Sequence, residues 1–294
     1  MQKLRFHTLD VFTDSPFSGN PLAVFTDADA LPTTLMQQIA RELNLSETVF
    51  VGAGQPGNHF PMRIFTPGGE IPFAGHPTIG TALLLSELEL LDPQQRGALV
   101  LEQRVGPVPV QLEGLGAGAV ARLRTARLPE ISSSTLKRHE AAALLGLQPE
   151  QLVADPVVAG CGLPFVLLQI RDVAALGSIS LDLSLWRRLL GAQPVSNLYC
   201  FSLQGGEAVR ARMFDPANSI PEDPATGSAA AALAGYLAIQ AAAPGSYRLR
   251  IEQGLEMGRA SLMLTRVEVG PEGPEAVYVE GQARRISEGA FLLG

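Results

Sequence analysis

The stretch RMFDPANSIPEDPATGSAAAALAGYL, residues 212–237, begins as an extended segment, passes through a polar loop rich in turn residues and continues as an apolar helix. Within residues 229–243 only Gln240 is strongly polar. A helix that is apolar on every side is normally buried on every side. Thr226 or Ser228 is expected to cap its start. The unpaired N–H groups of the first turn then face the loop, and they predict a site for an anion.

The same order of elements occurs earlier in the chain, in RIFTPGGEIPFAGHPTIGTALLL, residues 63–85. The matching segments keep their order and lie close to half a chain length apart, which indicates a duplication with two similar halves. The pairs are residues 63–67 and 212–216, 71–72 and 220–221, 80–82 and 227–229, 101–103 and 251–253 and, more weakly, 19–22 and 162–165.

In each half the sequence predicts many strands around one or two helices. A proline and three serines interrupt the pattern at residues 128–134, so the halves are expected to be 1–128 and 129–280. Regular strand–helix alternation is missing, which favours an α+β fold with mostly antiparallel sheets. The glycine-rich residues 52–57 match a dinucleotide-binding pattern, but a strand is predicted after them. They are therefore interpreted as a hairpin turn.

Composition excludes several classes of protein. The net charge of −7 and the lack of a basic cluster argue against nucleic-acid binding. Cys161 and Cys200 are far apart and predict neither a disulfide framework nor a metal site. The only lysines, Lys3 and Lys137, do not look like Schiff-base lysines, so no pyridoxal cofactor is expected. The N-terminus does not resemble a signal peptide and the alanine-rich helix is short for a membrane span, so the protein is predicted to be cytoplasmic, without a membrane partner.

Three ionisable residues lie beside the predicted helix starts or at an apolar strand entry: Glu47, His76 and Asp223. Proton transfer at carbon needs such a group, and a carboxylate walled off by apolar neighbours is suited to act as base and then as acid. Glu47, between Leu45 and Val49, fits that role best. Each residue also has an ordinary explanation, since Asp223 can cap a helix, Glu47 can end a surface strand and His76 can be a core histidine.

The duplication brings a further expectation. If the halves face each other about a pseudo-twofold axis, the helix starts at residues 75–78 and 223–228 converge on one small carboxylate or enolate. Gly75 and Gly227 let the backbone approach that ligand closely. A serine-hydrolase triad of His76, Asp223 and Ser228 is an alternative, but Ser228 lacks the Gly-x-Ser-x-Gly elbow.

At these positions the sequence resembles the PhzF-like family, which is named for the phenazine-biosynthesis isomerase and shares the diaminopimelate-epimerase fold. The resemblance covers nearly the whole chain and is specific because its motifs occur together. They are DVF at residues 10–12, GNP at 19–21, NLSET at 44–48, FAGHPT at 73–78 and DPATGS at 223–228.

The resemblance implies two pseudo-symmetric domains, each a sheet wrapped around a central helix, with residues 281–294 completing the first. It implies a homodimer and a site between the domains that needs no cofactor or metal and takes a small carboxylate substrate. The residue that matches Glu47 is the general acid and base in the phenazine enzyme. Substrate binding is carried over to His76, Asp223, Gly75, Gly227 and Ser228.

One departure concerns the wider fold, in which the epimerases use one cysteine from each half. Cys161 and Cys200 lie outside the two helix-start loops. The sequence therefore favours an isomerase in which a single carboxylate relocates a proton over a two-thiol epimerase. A binding protein that keeps the cleft but performs no chemistry is the alternative from another class. The substrate itself is not predicted.

Overall fold

The computed structural model describes residues 2–114, 116–218 and 220–293, so that Met1, Leu115, Ser219 and Gly294 lie outside the described residues. The chain forms two compact units. Unit 1 consists of Met1–Arg124 and Glu280–Gly294, and unit 2 consists of Thr125–Val279.

The regular elements confirm the predicted α+β class. The helices are α1 (Thr33–Leu43), α2 (Gly75–Glu87), α3 (Arg138–Leu145), α4 (Val173–Gly177), α5 (Leu183–Leu189) and α6 (Gly227–Ala241). The strands are β1 (Gln2–Val11), β2 (Asn20–Phe25), β3 (Glu47–Val51), β4 (His59–Phe65), β5 (Glu70–Ile71), β6 (Ala98–Gln103), β7 (Gly106–Glu113), β8 (Val120–Arg124), β9 (Glu130–Ser133), β10 (Val157–Gly160), β11 (Pro164–Gln169), β12 (Leu198–Leu203), β13 (Ala208–Asp215), β14 (Ile220–Asp223), β15 (Gly245–Gln253), β16 (Ser261–Gly270), β17 (Gly273–Gly281) and β18 (Ala283–Leu293).

Unit 1 is a mostly antiparallel sheet around α2. Strand β1 pairs antiparallel with β18 and β2, β3 with β4, β4 with β5, and β6 with β7, which in turn pairs with β8. The parallel pairs are β2 with β3 and β4 with β6. Helix α2 is buried from Gly75 to Leu85 and contacts β1, β2, β3, β6, β7, β8 and β18. At Gly80 a side-chain carbon would lie 2.6 Å from Val11, so glycine permits this close packing.

Helix α1 covers the other face of the first strands of unit 1. It buries Met36, Ile39 and Ala40, as expected for an amphipathic helix that starts after Pro32. Beneath it lies a group of phenylalanine rings in stacked, tilted or edge contact, which adds packing energy to the burial of their apolar surface. The rings belong to Phe6, Phe25, Phe50, Phe65 and Phe291.

Unit 2 repeats this arrangement around α6. The antiparallel pairs are β9 with β10, β10 with β11, β12 with β13, β13 with β14, and β15 with β16. The parallel pairs are β11 with β12 and β13 with β15. Helix α6 contacts β10, β11, β15 and β16, and its residues from Ala229 to Gly235 are buried. The prediction of a buried apolar helix is confirmed.

The sequence repeat is also a repeat of strand register. Corresponding residues of the two units oppose corresponding partners in the two sheets. The matching register pairs are Ala23/Thr48 and Val166/Leu198, Thr48/Phe65 and Leu198/Phe214, and Phe60/Leu101 and Val209/Ile251. Duplicated residues therefore occupy duplicated places, which supports the interpretation of the chain as two copies of one scaffold.

Three local predictions can be compared directly with the structure. Residues 52–57 connect the antiparallel strands β3 and β4, so the hairpin interpretation is confirmed. Thr226 occupies the N-cap position of α6, but its hydroxyl does not cap the helix and instead donates to Oδ2 of Asp223. Among the described residues, no helix is both long and apolar enough to cross a membrane.

Candidate active site

Three polar side chains of unit 1 meet where two strands and a helix begin. Asn20 is the first residue of β2, Glu47 is the first residue of β3, and His76 is the second residue of α2. Because β2 and β3 run parallel, with Leu22 beside Glu47, both strands start at the same edge of the sheet. We call these three residues the Glu47–His76–Asn20 cluster.

The imidazole of His76 lies between an amide and a carboxylate. Its Nδ1 is 3.3 Å from Nδ2 of Asn20, and its Nε2 is 3.4 Å from Oε2 of Glu47. Asn20 is fully buried, while the side chains of His76 and Glu47 are 5% and 14% exposed. Residues Thr48 to Val51, which follow Glu47, are all buried. The carboxylate thus lies at the start of a buried strand and beside a buried imidazole.

Burial decides the charge of this histidine. Removal from water lowers the pKa of His76 to about 3, because the imidazolium form loses its hydration. At neutral pH the ring is therefore uncharged and carries a single N–H. His76 is a hydrogen-bonding group in this site and not a cation that could neutralise Glu47.

The start of α2 adds backbone donors to the cluster. Ala74 is extended, with φ −151° and ψ 144°, and the helix follows at once with Gly75 and His76. The first N–H groups of a helix have no acceptor inside it, and Pro77 has no N–H at all. Gly75 and His76 therefore supply the backbone N–H groups of this turn, and their dipoles favour an anion.

Unit 2 carries a different polar group at its helix start. Asp223 ends β14, is 6% exposed and accepts a hydrogen bond from Thr226. Nε2 of Gln253 donates to the backbone oxygen of Asp223 at 2.7 Å and to Oγ1 of Thr226 at 3.0 Å. Gly227 is buried and Ser228 is half-buried in the first turn of α6. The predicted binding residues of the second half thus lie together.

Tyr199 is a further polar residue near Asp223 that the sequence did not reveal. It is fully buried on β12, and its hydroxyl has no hydrogen-bond partner among the described residues. Burial raises the pKa of Tyr199, and the negative charge of Asp223 raises it further. The hydroxyl therefore stays protonated. No pattern marks a single tyrosine inside an apolar strand, so only the fold could find it.

In each unit an arginine–glutamate pair supports the segment that leads to the central helix. In unit 1 the guanidinium of Arg63 makes two 2.8 Å bonds to Glu70, and in unit 2 Arg212 does the same to Glu222. The hydrogen bonds from Arg63 lower the pKa of Glu70. These bidentate pairs fix the segments that lead from β4 to α2 and from β13 to α6. The repeated sequence contained both arginines, but it did not identify their partners.

In each unit a buried glutamine amide also hydrogen-bonds to a threonine at the start of the central helix. Gln103 donates to Oγ1 of Thr78 at 2.9 Å in unit 1, and Gln253 has the matching position in unit 2. Both glutamines belong to the repeated segments of the sequence, which was the available signal for them. Within the described part of the chain, no group of three or more His, Cys, Asp or Glu side chains is arranged to hold a metal ion.

Comparison with known proteins adds an independent line of observation. The family model for phenazine biosynthesis-like proteins, PhzC-PhzF, matches residues 9–289. The chain is 38% identical to a trans-2,3-dihydro-3-hydroxyanthranilate isomerase of Pseudomonas aeruginosa over 98% of this chain and 99% of that protein. It is 39% identical to an uncharacterised isomerase of Mesorhizobium japonicum over 100% of both chains.

A solved structure agrees with these matches. The PhzF-family phenazine biosynthesis protein of Bacillus anthracis is similar with a TM-score of 0.89 and 25% identity, over 100% of both chains. The predicted diaminopimelate epimerase-like fold is confirmed. With the family model spanning nearly all residues and the relatives matching from end to end, the chain belongs to the phenazine biosynthesis-like (PhzC-PhzF) protein family.

Proposed function

We propose that the protein is a cofactor-independent isomerase in which Glu47 relocates a proton on a small carboxylate-bearing metabolite. One observation carries the proposal: a mostly buried carboxylate, 14% exposed, lies 3.4 Å from a histidine that burial keeps uncharged. A carboxylate in such a place can exchange protons with carbon without losing its proton at once to water. The isomerase names of relatives at 38% and 39% identity support the same reaction class.

The proposed reaction has two balanced steps. Glu47 takes a proton from a substrate carbon, so that a C–H bond breaks, an O–H bond forms and the electron pair moves into the conjugated system of the substrate. Glu47 then returns the proton to a different carbon, and the carboxylate is restored. The developing negative charge is stabilised by the backbone N–H groups of Gly75 and His76. No redox partner is needed.

Substrate binding is assigned to both units in this proposal. In unit 1 His76 and Gly75 hold the substrate, and in unit 2 Asp223, Gly227 and Ser228 bind it, as the family resemblance implies. The small size of Gly75 and Gly227 suits backbone contacts to a carboxylate. A homodimer and a cytoplasmic location belong to the same proposal.

The relative from Pseudomonas aeruginosa suggests which compound to examine first. That protein is named for trans-2,3-dihydro-3-hydroxyanthranilate, a cyclic acid with conjugated carbons. The proposal takes acids of this type, with an acidic C–H next to a conjugated system, as the substrate class. It does not require this particular acid.

The serine-hydrolase alternative receives less support. A triad needs one nitrogen of the histidine to face the serine and the other to face an acid. Both ring nitrogens of His76 already face unit 1 residues, Asn20 and Glu47. The binding-protein alternative keeps the same residues and differs only in lacking turnover.

The test is a screen of small unsaturated carboxylic acids in heavy water, read by mass spectrometry. We expect enzyme-dependent incorporation of deuterium into at least one acid, together with a product of unchanged elemental composition. A product with one added water would indicate hydrolysis. Saturable binding of an acid without label or product would identify a binding protein and contradict the isomerase.

A further inference from the structure

Asn20 is a buried polar residue that contacts His76 and has no role in the proposed reaction steps. Its side chain is fully buried at the start of β2, and its Nδ2 lies 3.3 Å from Nδ1 of His76. Counted back along the chain from Ala23 and Val166, which occupy matching register positions, the residue of unit 2 that corresponds to Asn20 is Leu163, directly before β11. The corresponding place in unit 2 therefore has no amide, whereas in unit 1 the buried amide of Asn20 contacts His76.

In the contact between Asn20 and His76, one nitrogen must donate the hydrogen and the other must accept it. In a neutral imidazole one nitrogen carries the proton and the other accepts. With the amide nitrogen of Asn20 donating, Nδ1 is the acceptor and the proton resides on Nε2. Nε2 lies 3.4 Å from Oε2 of Glu47, so a proton on Nε2 is attracted to the negative carboxylate, whereas a lone pair there would be repelled by it. Both neighbours of the ring thus favour the same tautomer.

We propose that Asn20 is a positioning residue that holds the proton of His76 on Nε2, so that the imidazole cannot accept the proton that Glu47 removes from the substrate. This inference rests on the proposed function of Glu47. Nε2 already carries a hydrogen, and Nδ1 is occupied by the Asn20 amide. The abstracted proton is therefore held by Glu47, which returns it to carbon or exchanges it with solvent, and the ring neither gains nor loses a proton.

The burial of His76 adds to this restriction. Taking up a second proton would create an imidazolium in a place with 5% of the side chain exposed, which is strongly disfavoured. Asn20 removes the other route, in which the ring would exchange its tautomer and pass the proton on through Nδ1. The ring therefore keeps its N–H beside the carboxylate throughout the cycle.

The direct test is nuclear magnetic resonance of histidine labelled with nitrogen-15, since the two ring nitrogens report their protonation separately. The chain has four histidines, and the signals of His76 are those lost in His76→Asn. We expect wild-type His76 to show a protonated Nε2 and an unprotonated Nδ1 from pH 5 to 8. A protonated Nδ1 in the wild-type protein would overturn the proposal without any variant.

The variant is Asn20→Asp, which is nearly isosteric but can only accept when ionised. We expect it to draw a proton onto Nδ1 of His76 and to lower kcat by more than about tenfold, with KM changed by less than about threefold. Asn58→Asp is the matched control, because Asn58 is also buried in unit 1 but donates to the backbone of Gln95 and Ala98. The control should reduce stability and leave the His76 signals and kcat as in the wild type.

The outcomes separate this inference from the proposed function. If Asn20→Asp moves the proton to Nδ1 and turnover is unchanged, the positioning role is wrong while Glu47 can remain the base. If Asn20→Asp leaves Nδ1 unprotonated, the inference is also wrong. If the wild-type protein turns over no acid, the proposed function fails, although the nitrogen signals still report the tautomer.

Discussion

Unit 1 and unit 2 build similar cores in the same strand register, but they carry different polar groups at the starts of corresponding strands. Counted back along the chain from the matching register pairs, Asn20 and Glu47 of unit 1 correspond to Leu163 and Asn197 of unit 2, which lie directly before β11 and β12. The Arg–Glu pair and the Gln–Thr hydrogen bond, in contrast, occur in both units. What both units keep is needed for the scaffold, so the carboxylate and amide of unit 1 are better explained by chemistry.

The largest effect is expected from Glu47→Gln, which gives unit 1 a neutral amide where unit 2 also has one. General acid–base catalysis contributes about 10²–10⁴-fold to rate, so kcat should fall by a factor in that range. Steady-state kinetics on the acid found in the heavy-water screen provides the measurement. The fold should be unchanged, because glutamine has almost the same shape as glutamate.

Glu102→Gln is the matched control for this substitution. Glu102 also contacts a histidine of unit 1, with Oε1 2.7 Å from Nδ1 of His59, but these side chains are 38% and 41% exposed. An exposed pair of this kind contributes little to stability and nothing to the proposed reaction. A loss of kcat in Glu102→Gln similar to that in Glu47→Gln would contradict the assignment of Glu47 as the catalytic carboxylate.

The next largest effect is a difference in stability between variants of the two Arg–Glu pairs. Arg212 is 9% exposed as a side chain and also donates to backbone oxygens of Leu176 and Ile179, whereas Arg63 is 34% exposed. Breaking a buried pair from one side costs about 3–5 kcal/mol, and breaking an exposed one costs about 1 kcal/mol or less. Arg212→Met should therefore reduce the free energy of unfolding far more than Arg63→Met.

Denaturant unfolding followed by circular dichroism measures this difference. Two units can unfold in separate transitions, so the free energy should be taken from the transition that each variant shifts. Equal losses in the two variants would mean that burial of Arg212 is not what distinguishes the pairs.

A smaller effect follows from the buried histidine of unit 1. Burial lowers the pKa of His76 to about 3, from about 6.5 in an unfolded chain. Between these values the unfolded chain binds a proton that the folded chain excludes, so stability falls as pH drops below 6.5. From pH 7 to pH 5 the wild-type free energy of unfolding should fall by about 2 kcal/mol more than that of His76→Asn.

His139→Asn, at an exposed position of unit 2, is the control for that pH series. It should show the wild-type dependence between pH 7 and pH 5. Parallel curves for wild type and His76→Asn would contradict the assignment of a neutral, buried imidazole.

The smallest effect is expected from replacing the two buried glutamines, Gln103 and Gln253. Gln253 donates to the backbone oxygen of Asp223 and to Thr226, while Gln103 donates to Thr78 and contacts the sulfur of Met62 at 3.7 Å. Gln253→Leu leaves one more buried oxygen without its donor, so it should cost about 1 kcal/mol more than Gln103→Leu. Thermal or denaturant unfolding of both variants measures the difference.

Much of the scaffold could be predicted from the sequence. The two buried helices follow from runs of residues that are apolar on every side, and the duplication follows from matched segments. The short helices α4 and α5 were missed, because five and seven residues give little periodic signal. Their caps were visible, since Asp172 and Asp182 accept hydrogen bonds from the first-turn N–H groups.

The site was only partly predictable. The apolar or glycine-rich surroundings of Glu47 and His76 indicate a functional role, but their 3.4 Å contact depends on the packing of α2 against β3, which no local pattern encodes. Asn20 belonged to a recognised motif without an assigned role. Binding by Asp223, Gly227 and Ser228 stays a prediction, because it depends on a ligand.

The central claim is that unit 1 carries the proton and unit 2 only holds the substrate. Its most direct test is the rate of deuterium uptake from heavy water into the reacting carbon at saturating substrate, compared between Glu47→Gln and Asp223→Asn. We predict that Glu47→Gln abolishes uptake, whereas Asp223→Asn raises KM and still exchanges. Uptake that survives in Glu47→Gln and disappears in Asp223→Asn would contradict the account.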